Sequence, residues 1–184
     1  MRSVLLLLCI LLLASCDDEV TVKPAAMLRL EYPAPNYKEI NTECQYSFQK
    51  NTLANLKVKN GCGMNLEYPL MDATVYITYQ EIRSANLDSL LYDAQKLTYD
   101  HSKKAQAIFE QPRVDTLNKV YGMFYALEGN AATQSQFYVT DSLNHFVQGS
   151  LYFNAKPNFD SIYPAVMYLR NDIRRIMETI SWEE

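Results

Sequence analysis

The stretch that most constrains the fold runs from Val120 to Trp182, because the apolar period changes inside it from two residues to 3.6. Val120–Leu127, Ser135–Thr140 and Phe146–Asn154 alternate like strands, and Glu128-Gly129-Asn130 turns the chain out of the first. Asp141-Ser142-Leu143-Asn144 makes the other two a hairpin. Pro157-Asn158 then ends the sheet, and Asp160 or Ser161 caps a helix with Pro164 in its first turn. Ile162, Ala165, Val166, Leu169, Ile173, Ile176, Met177 and Ile180 form one apolar stripe, closed by Trp182. A helix with such a stripe must bury it against the sheet. Arg170, Arg174 and Arg175 stand off the stripe and read as a solvated face, with contact to an acidic partner as the functional alternative.

Upstream, Ala73–Tyr79 (ATVYITY) predicts a strand with Val75, Ile77 and Tyr79 on one face and Tyr76 and Thr78 on the other. A helix capped by Ser84 or Asn86 is expected to run to about Phe109. Its buried face is Leu87, Leu90, Leu91, Ala94, Leu97, His101, Ala105 and Ile108. His101 then lies at the edge of that face, packed and hydrogen-bonded rather than acting as a ligand or base. Met27–Tyr32 alternates as a first strand stopped by Pro33 and Pro35, and Tyr37–Thr42 reads as polar connection. Gln45–Gln49, Leu53–Lys59 and an edge-like Gln111–Leu117 complete the strand set, with a turn at Gly61-Cys62-Gly63. Two amphipathic helices and these strands predict an α+β fold, an antiparallel sheet flanked by two long amphipathic helices in two or three layers.

The N-terminus sets the compartment. Arg2 precedes the apolar run Val4–Ala14, whose eleven residues would make a helix about 16 Å long, against a hydrocarbon core of roughly 30 Å. That length marks a signal-peptide core rather than a transmembrane helix. Leu13-Ala14-Ser15-Cys16 resembles a bacterial lipoprotein box, so residues 1–15 read as the leader, and Cys16 as the lipidated first residue of a tether spanning 16–26. Residues 27–184 then form one globular domain. Two or three acyl chains anchor firmly where one binds marginally.

With Cys9 in the leader and Cys16 acylated, Cys44 and Cys62 remain. Beyond a signal peptide the compartment is oxidising, and an even pair there reads as a disulfide. The spacing is not C-x-x-C and no histidine lies nearby, which disfavours a redox or metal pair. Net charge is −4, or −5 once Arg2 leaves with the leader, and no basic stripe exists, which excludes a phosphate-driven nucleic-acid binder. Fourteen tyrosines suit half-buried strand faces, or a wet contact surface.

Motifs for catalysis are absent: the chain has no G-x-S-x-G, no H-E-x-x-H and no phosphate-cradling glycine loop. Asp141, Ser142 and His145 cluster in sequence, but a triad is defined by geometry and a capped turn explains the first two. Gly129-Asn130-Ala131-Ala132 could offer amides to an anion, or simply turn the chain. No catalytic, metal or cofactor residue is expected.

Several residues carry a family resemblance. They are Val120-Tyr121-Gly122, Gly129-Asn130-Ala131-Ala132, Gln136-Phe137-Tyr138, Thr140-Asp141-Ser142, His145-Phe146, Gly149, Leu151-Tyr152-Phe153-Asn154, Pro157-Asn158, Asp160-Ser161, Pro164, Glu178-Thr179 and Trp182. Cys44, Tyr46-Ser47-Phe48, Cys62, Leu97-Thr98-Tyr99 and His101 extend it upstream. Together with the leader they resemble GldD, a gliding-motility lipoprotein family of Bacteroidota, over nearly the whole mature chain. The resemblance implies a non-enzymatic envelope lipoprotein needed for gliding and type IX secretion. Its implied partners are other lipoproteins of that apparatus. It implies a lipid anchor in the outer membrane, periplasmic side favoured and surface exposure open, and a Mog1/PsbP-like α/β/α sandwich. Asp17-Asp18-Glu19 reads equally as a solvated tether or as an export signal for surface lipoproteins. The alternative function is a lipid-tethered binding module for a small apolar ligand or a glycan, which would need a pocket between sheet and helix.

Overall fold

A computed structural model describes residues 30–40, 42–83, 86–154 and 158–183. The leader, Cys16, the tether, Ser84 and Pro157 lie outside the described residues. So does the start of the expected Met27–Tyr32 strand.

Seven antiparallel strands form the main sheet: β4 (Asn55–Val58), β5 (Met64–Tyr68), β6 (Ala73–Glu81), β7 (Ala105–Asp115), β8 (Val120–Gly129), β9 (Ser135–Thr140) and β10 (His145–Phe153). Their order across the sheet is β4-β5-β6-β10-β9-β8-β7. Two meanders therefore meet along β6 and β10, which pair over nine residues from His145↔Glu81 to Phe153↔Ala73. The crossover between them carries helix α1 (Leu87–His101). Helix α2 (Phe159–Thr179) follows β10.

The two helices bury separate clusters. Leu169, Ile173, Ile176 and Met177 of α2 pack with Met64, Leu66, Val75, Phe137, Val139, Val147 and Leu151. Leu90 and Ala94 of α1 pack with Tyr125, Leu127, Tyr138 and Phe146. Alternation along each strand divides its side chains between these faces. Gly149 lies on the α2 face opposite Phe137, where a Cβ would sit 2.3 Å from the ring, so only glycine fits. Gly129 ends β8 at φ 86°, the left-handed region that favours glycine.

A further layer covers α2. Strand β1 (Tyr37–Glu39) pairs with β3 (Gln49–Asn51), while β2 (Tyr46–Ser47) pairs with β11 (Ser181–Trp182). Gln49 donates its backbone N–H to Thr179 Oγ1 at 3.0 Å. Helix α2 is thus covered on more than one side, which a single apolar stripe did not foretell.

Four expectations change. Residues 30–32 form no strand; the first strand is Tyr37–Glu39, past Pro33 and Pro35, in the segment read as connection. β5 was not expected, although its alternating Met64, Leu66 and Tyr68 are all buried. α1 ends at His101 instead of about Phe109, so only α2 is long. Ala105 and Ile108 do join the α1 cluster, but from β7. A strand there gives β8 a partner over its whole length, and Pro112 is unfit for a helix interior. Finally, α2 starts at Phe159 rather than Asp160 or Ser161, which places Pro164 in the second turn. The Phe159 N–H is met by Asn130 Oδ1 at 3.0 Å, so the cap comes from the β8–β9 loop.

Candidate functional site

Cys44 and Cys62 form a disulfide with a Cα–Cα distance of 5.5 Å. It clips the β2 layer to the turn before β5, and Tyr46 Oη donates to the Cys62 carbonyl at 2.8 Å.

Asp141, Ser142 and His145 come together without forming a triad. Asp141 Oδ1 accepts the backbone N–H groups of Leu143, Asn144 and His145 at 2.9, 2.8 and 2.8 Å. Burial raises the carboxyl's pKa, but those donors outweigh it and hold it below the ordinary value. His145 turns elsewhere: its Nδ1 meets Tyr79 Oη at 2.9 Å and its ring stacks on Trp182 at 5.1 Å. His101 bridges α1 to the sheet, its Nδ1 2.8 Å from Gln136 Nε2 and its ring edge-on to Tyr152. Burial lowers its pKa, with Asp100 opposing.

The arginine face is corrected at Arg170, which is only 4% exposed. Its Nη2 donates to the carbonyls of Leu127 and Gln134 at 2.8 and 3.3 Å, tying α2 to the β8–β9 loop. Burial lowers its pKa, and Glu128 opposes that. Arg175 is engaged as well, donating twice to Gln49 Oε1. Arg174 is half-buried, its guanidinium over the Phe124 ring at 4.6 Å.

Sequence reading missed the buried Asp172, 2% exposed, on the side of α2 facing β1 and β3. Tyr37 Oη donates to Oδ1 at 2.7 Å and Asn51 Nδ2 to Oδ2 at 2.9 Å. Burial raises its pKa against these stabilising bonds. The Tyr68 hydroxyl is buried close by and feels the same carboxylate, but completes no hydrogen bond of sound geometry. The one available signal was an acid within an apolar helix. Asp172 acts as a polar pin between layers: three of its neighbours are phenols, which burial holds protonated.

Under α1 the gap near Thr98, Gln136 and Gln148 is about 10 Å³, room for one water. Between α2 and the β7–β8 edge a second gap is about 130 Å³, so both gaps between helix and sheet are below the roughly 300 Å³ of small-ligand sites.

One surface with unpaired capacity is the β7–β8 ribbon. β7 is the last strand of the sheet, so one of its sides has no neighbour. Phe109, Val114 and Leu117 are 56%, 69% and 92% exposed along it. Alternation puts Phe109 toward α2 and Val114 toward the opposite face, with Leu117 at the ribbon's turn. Pro112 removes one backbone donor and blunts continuous strand addition, so contact through side chains is favoured. Beside it a cavity of about 130 Å³ is lined by Gln111, Arg113, Phe124, Arg174 and Met177. Arg113 is paired with Asp115 at 2.9 Å, whereas Arg174 bonds only the amide oxygens of Gln111 and Asn171.

Among the described residues no helix is long and apolar enough to cross a membrane, and no group of three metal-ligating side chains occurs. No curated protein matches the chain. The sequence pattern of the gliding motility lipoprotein GldD family matches residues 17–182. That span holds the disulfide, both helices and every strand. The chain belongs to the gliding motility lipoprotein GldD family.

Proposed function

We propose that the protein is held by lipid on Cys16 in the cell envelope and is required for gliding motility and type IX secretion. It acts without catalysis, by binding and stabilising other lipoproteins of the apparatus. Family membership supports the setting. The observation that carries the binding reading is the free β7 edge with Phe109, Val114 and Leu117 exposed beside Arg174. An unpaired strand edge flanked by exposed apolar side chains on both faces is a feature that a protein partner can grip from either side. The two helices on separate faces of one antiparallel sheet support a Mog1/PsbP-like sandwich, the leader supports a lipid anchor, and the family resemblance favours the periplasmic side of the outer membrane for it.

The test is a deletion strain complemented with the wild-type gene, Cys16→Ser, or Phe109→Ser/Leu117→Ser. Colony spreading, type IX cargo in the medium and the abundance of other gliding lipoproteins are scored. Both variants are expected to accumulate folded yet lose spreading and cargo, with the lipoproteins falling in parallel. Normal spreading and cargo in the deletion strain would overturn the reading. Full rescue by the ribbon variant alone would move the contact face elsewhere.

A further inference from the structure

The α1 face of the sheet is only half covered. Beyond α1 the outer residues of β4, β5 and β6 are polar, and they end at an open pocket of about 320 Å³ between the β5–β6 turn and the end of β10. Glu67, Asp72, Thr74, Tyr76 and Asn154 line it. We infer that this pocket binds the ring of a neutral sugar.

The volume sits at the lower end of small-ligand sites, roughly 300 Å³. Tyr76 is 43% exposed, yet its ring is braced edge-on by Tyr152 at 5.8 Å, and Tyr152 in turn by His101 at 5.8 Å. A fixed, exposed tyrosine ring offers an apolar face on which the C–H face of a pyranose can lie. Around it stand acceptors. Asp72 has left-handed backbone, φ 47°, held by its N–H to the Pro69 carbonyl at 3.4 Å and by the Asn154 N–H on its own carbonyl at 2.9 Å. Asn154 Nδ2 also donates to Asp72 Oδ1 at 2.8 Å. The carboxylate is thereby aimed before any ligand arrives, which lowers the ordering cost of binding.

The charge pattern selects the ligand class. Glu67 pairs with Lys57 at 2.7 Å, which neutralises the neighbouring ammonium, and no described lining residue is basic. Phosphorylated, sulfated and uronic ligands would face the Asp72 carboxylate, with no unpaired cation among the described lining residues to receive them. Ionised carboxylates only accept hydrogen bonds, so they call for a donor-rich partner. Sugar hydroxyls supply donors on one edge and C–H groups on the faces. A purely apolar ligand would leave the carboxylates and the Asn154 amide desolvated.

The probes are N,N′-diacetylchitobiose and cellobiose, read by saturation-transfer NMR on the full chain in detergent. Transfer to the ring C–H protons of at least one sugar is expected. Tyr76→Ala should weaken binding about tenfold, the loss of one ring contact. Tyr76→Phe should keep it. Asp72→Asn, which tolerates the left-handed backbone, should weaken it about threefold to tenfold by removing a charged acceptor. Matching circular dichroism across the variants separates lost binding from lost fold. No transfer from either sugar would overturn the inference, as would wild-type affinity in Tyr76→Ala. So would amide shifts at Asp72 and Glu67 produced by calcium chloride and by neither sugar.

Discussion

The two faces of the sheet do different work. Under α2, Met64, Leu66, Val75, Val139, Leu151, Leu169 and Ile173 are wholly buried, and even the polar groups Arg170 and Asp172 are sealed. Under α1, the helix buries Leu90, Ala94 and Thr98, while Tyr92, Leu97 and Tyr99 remain exposed and the far strands carry polar side chains. Burial of a large aliphatic side chain contributes about 1.5–3 kcal/mol, so the α2 face carries more of the stability. The α1 face keeps reachable polar chemistry. The difference teaches that side-chain placement, more than element type, separates scaffold from surface here.

Breaking the α2 face should cost most. Leu169→Ala is expected to destabilise by about 3–5 kcal/mol, against about 2 kcal/mol for Leu90→Ala, read by urea unfolding. Equal losses would mean the faces contribute alike. Replacing both Cys44 and Cys62 by alanine should remove about 3 kcal/mol, since the bridge closes a loop with a sequence separation of 18. Dithiothreitol should lower the wild-type midpoint similarly and leave the double variant unmoved.

The arginines sharpen the comparison further. Arg170→Ala should cost about 1–3 kcal/mol, because it takes the side-chain donor from the buried Leu127 carbonyl and one of two donors from the Gln134 carbonyl, which keeps the Leu127 N–H. Arg174→Ala, half-buried and bonded to no buried backbone carbonyl, should cost under about 1 kcal/mol. Thermal melts of the pair decide it.

The smallest effects are in pH. Asp172 has a raised folded pKa, so its contribution is full below the ordinary 3.8 and is lost as pH rises through the folded value. Asp172→Asn should therefore gain on the wild type as pH rises above 3.8 in urea titrations. His101 shows the opposite sign. Its folded pKa is depressed, so the stability it lends is present above the ordinary 6.5 and lost as pH falls through the folded value. Hydrogen exchange should quicken at the α1 C-terminus as pH falls below 6.5 in the wild type and not in His101→Gln.

Much of this was legible in the chain. β6, β8, β9, β10 and α2 follow their periods to within a few residues, because each has one face in a continuous core. The Asp141 turn and the packed His101 were legible too, since local hydrogen bonding and helical spacing declare them. Where reading failed, two structures served the same residues. Ala105 and Ile108 fit the helical face of α1 and are delivered to the same cluster by β7. Arg170 looked solvated because helical spacing describes one stripe, whereas the β8–β9 loop and the β1–β3 layer close over the rest of α2. The β7 surface and the Tyr76 pocket had no motif at all.

The sequence by itself determined the α+β class, the antiparallel pairing of the last strands and the membership in the family. Those rest on local periods and on residues near one another in the chain. Only the tertiary structure decided which polar groups are buried pins and which are exposed. Asp172 meets Tyr37 and Asn51 across 135 and 121 residues, and Tyr76 meets Tyr152 across the β6–β10 pair. A side chain's solvation depends on what the rest of the fold brings against it, and that is non-local.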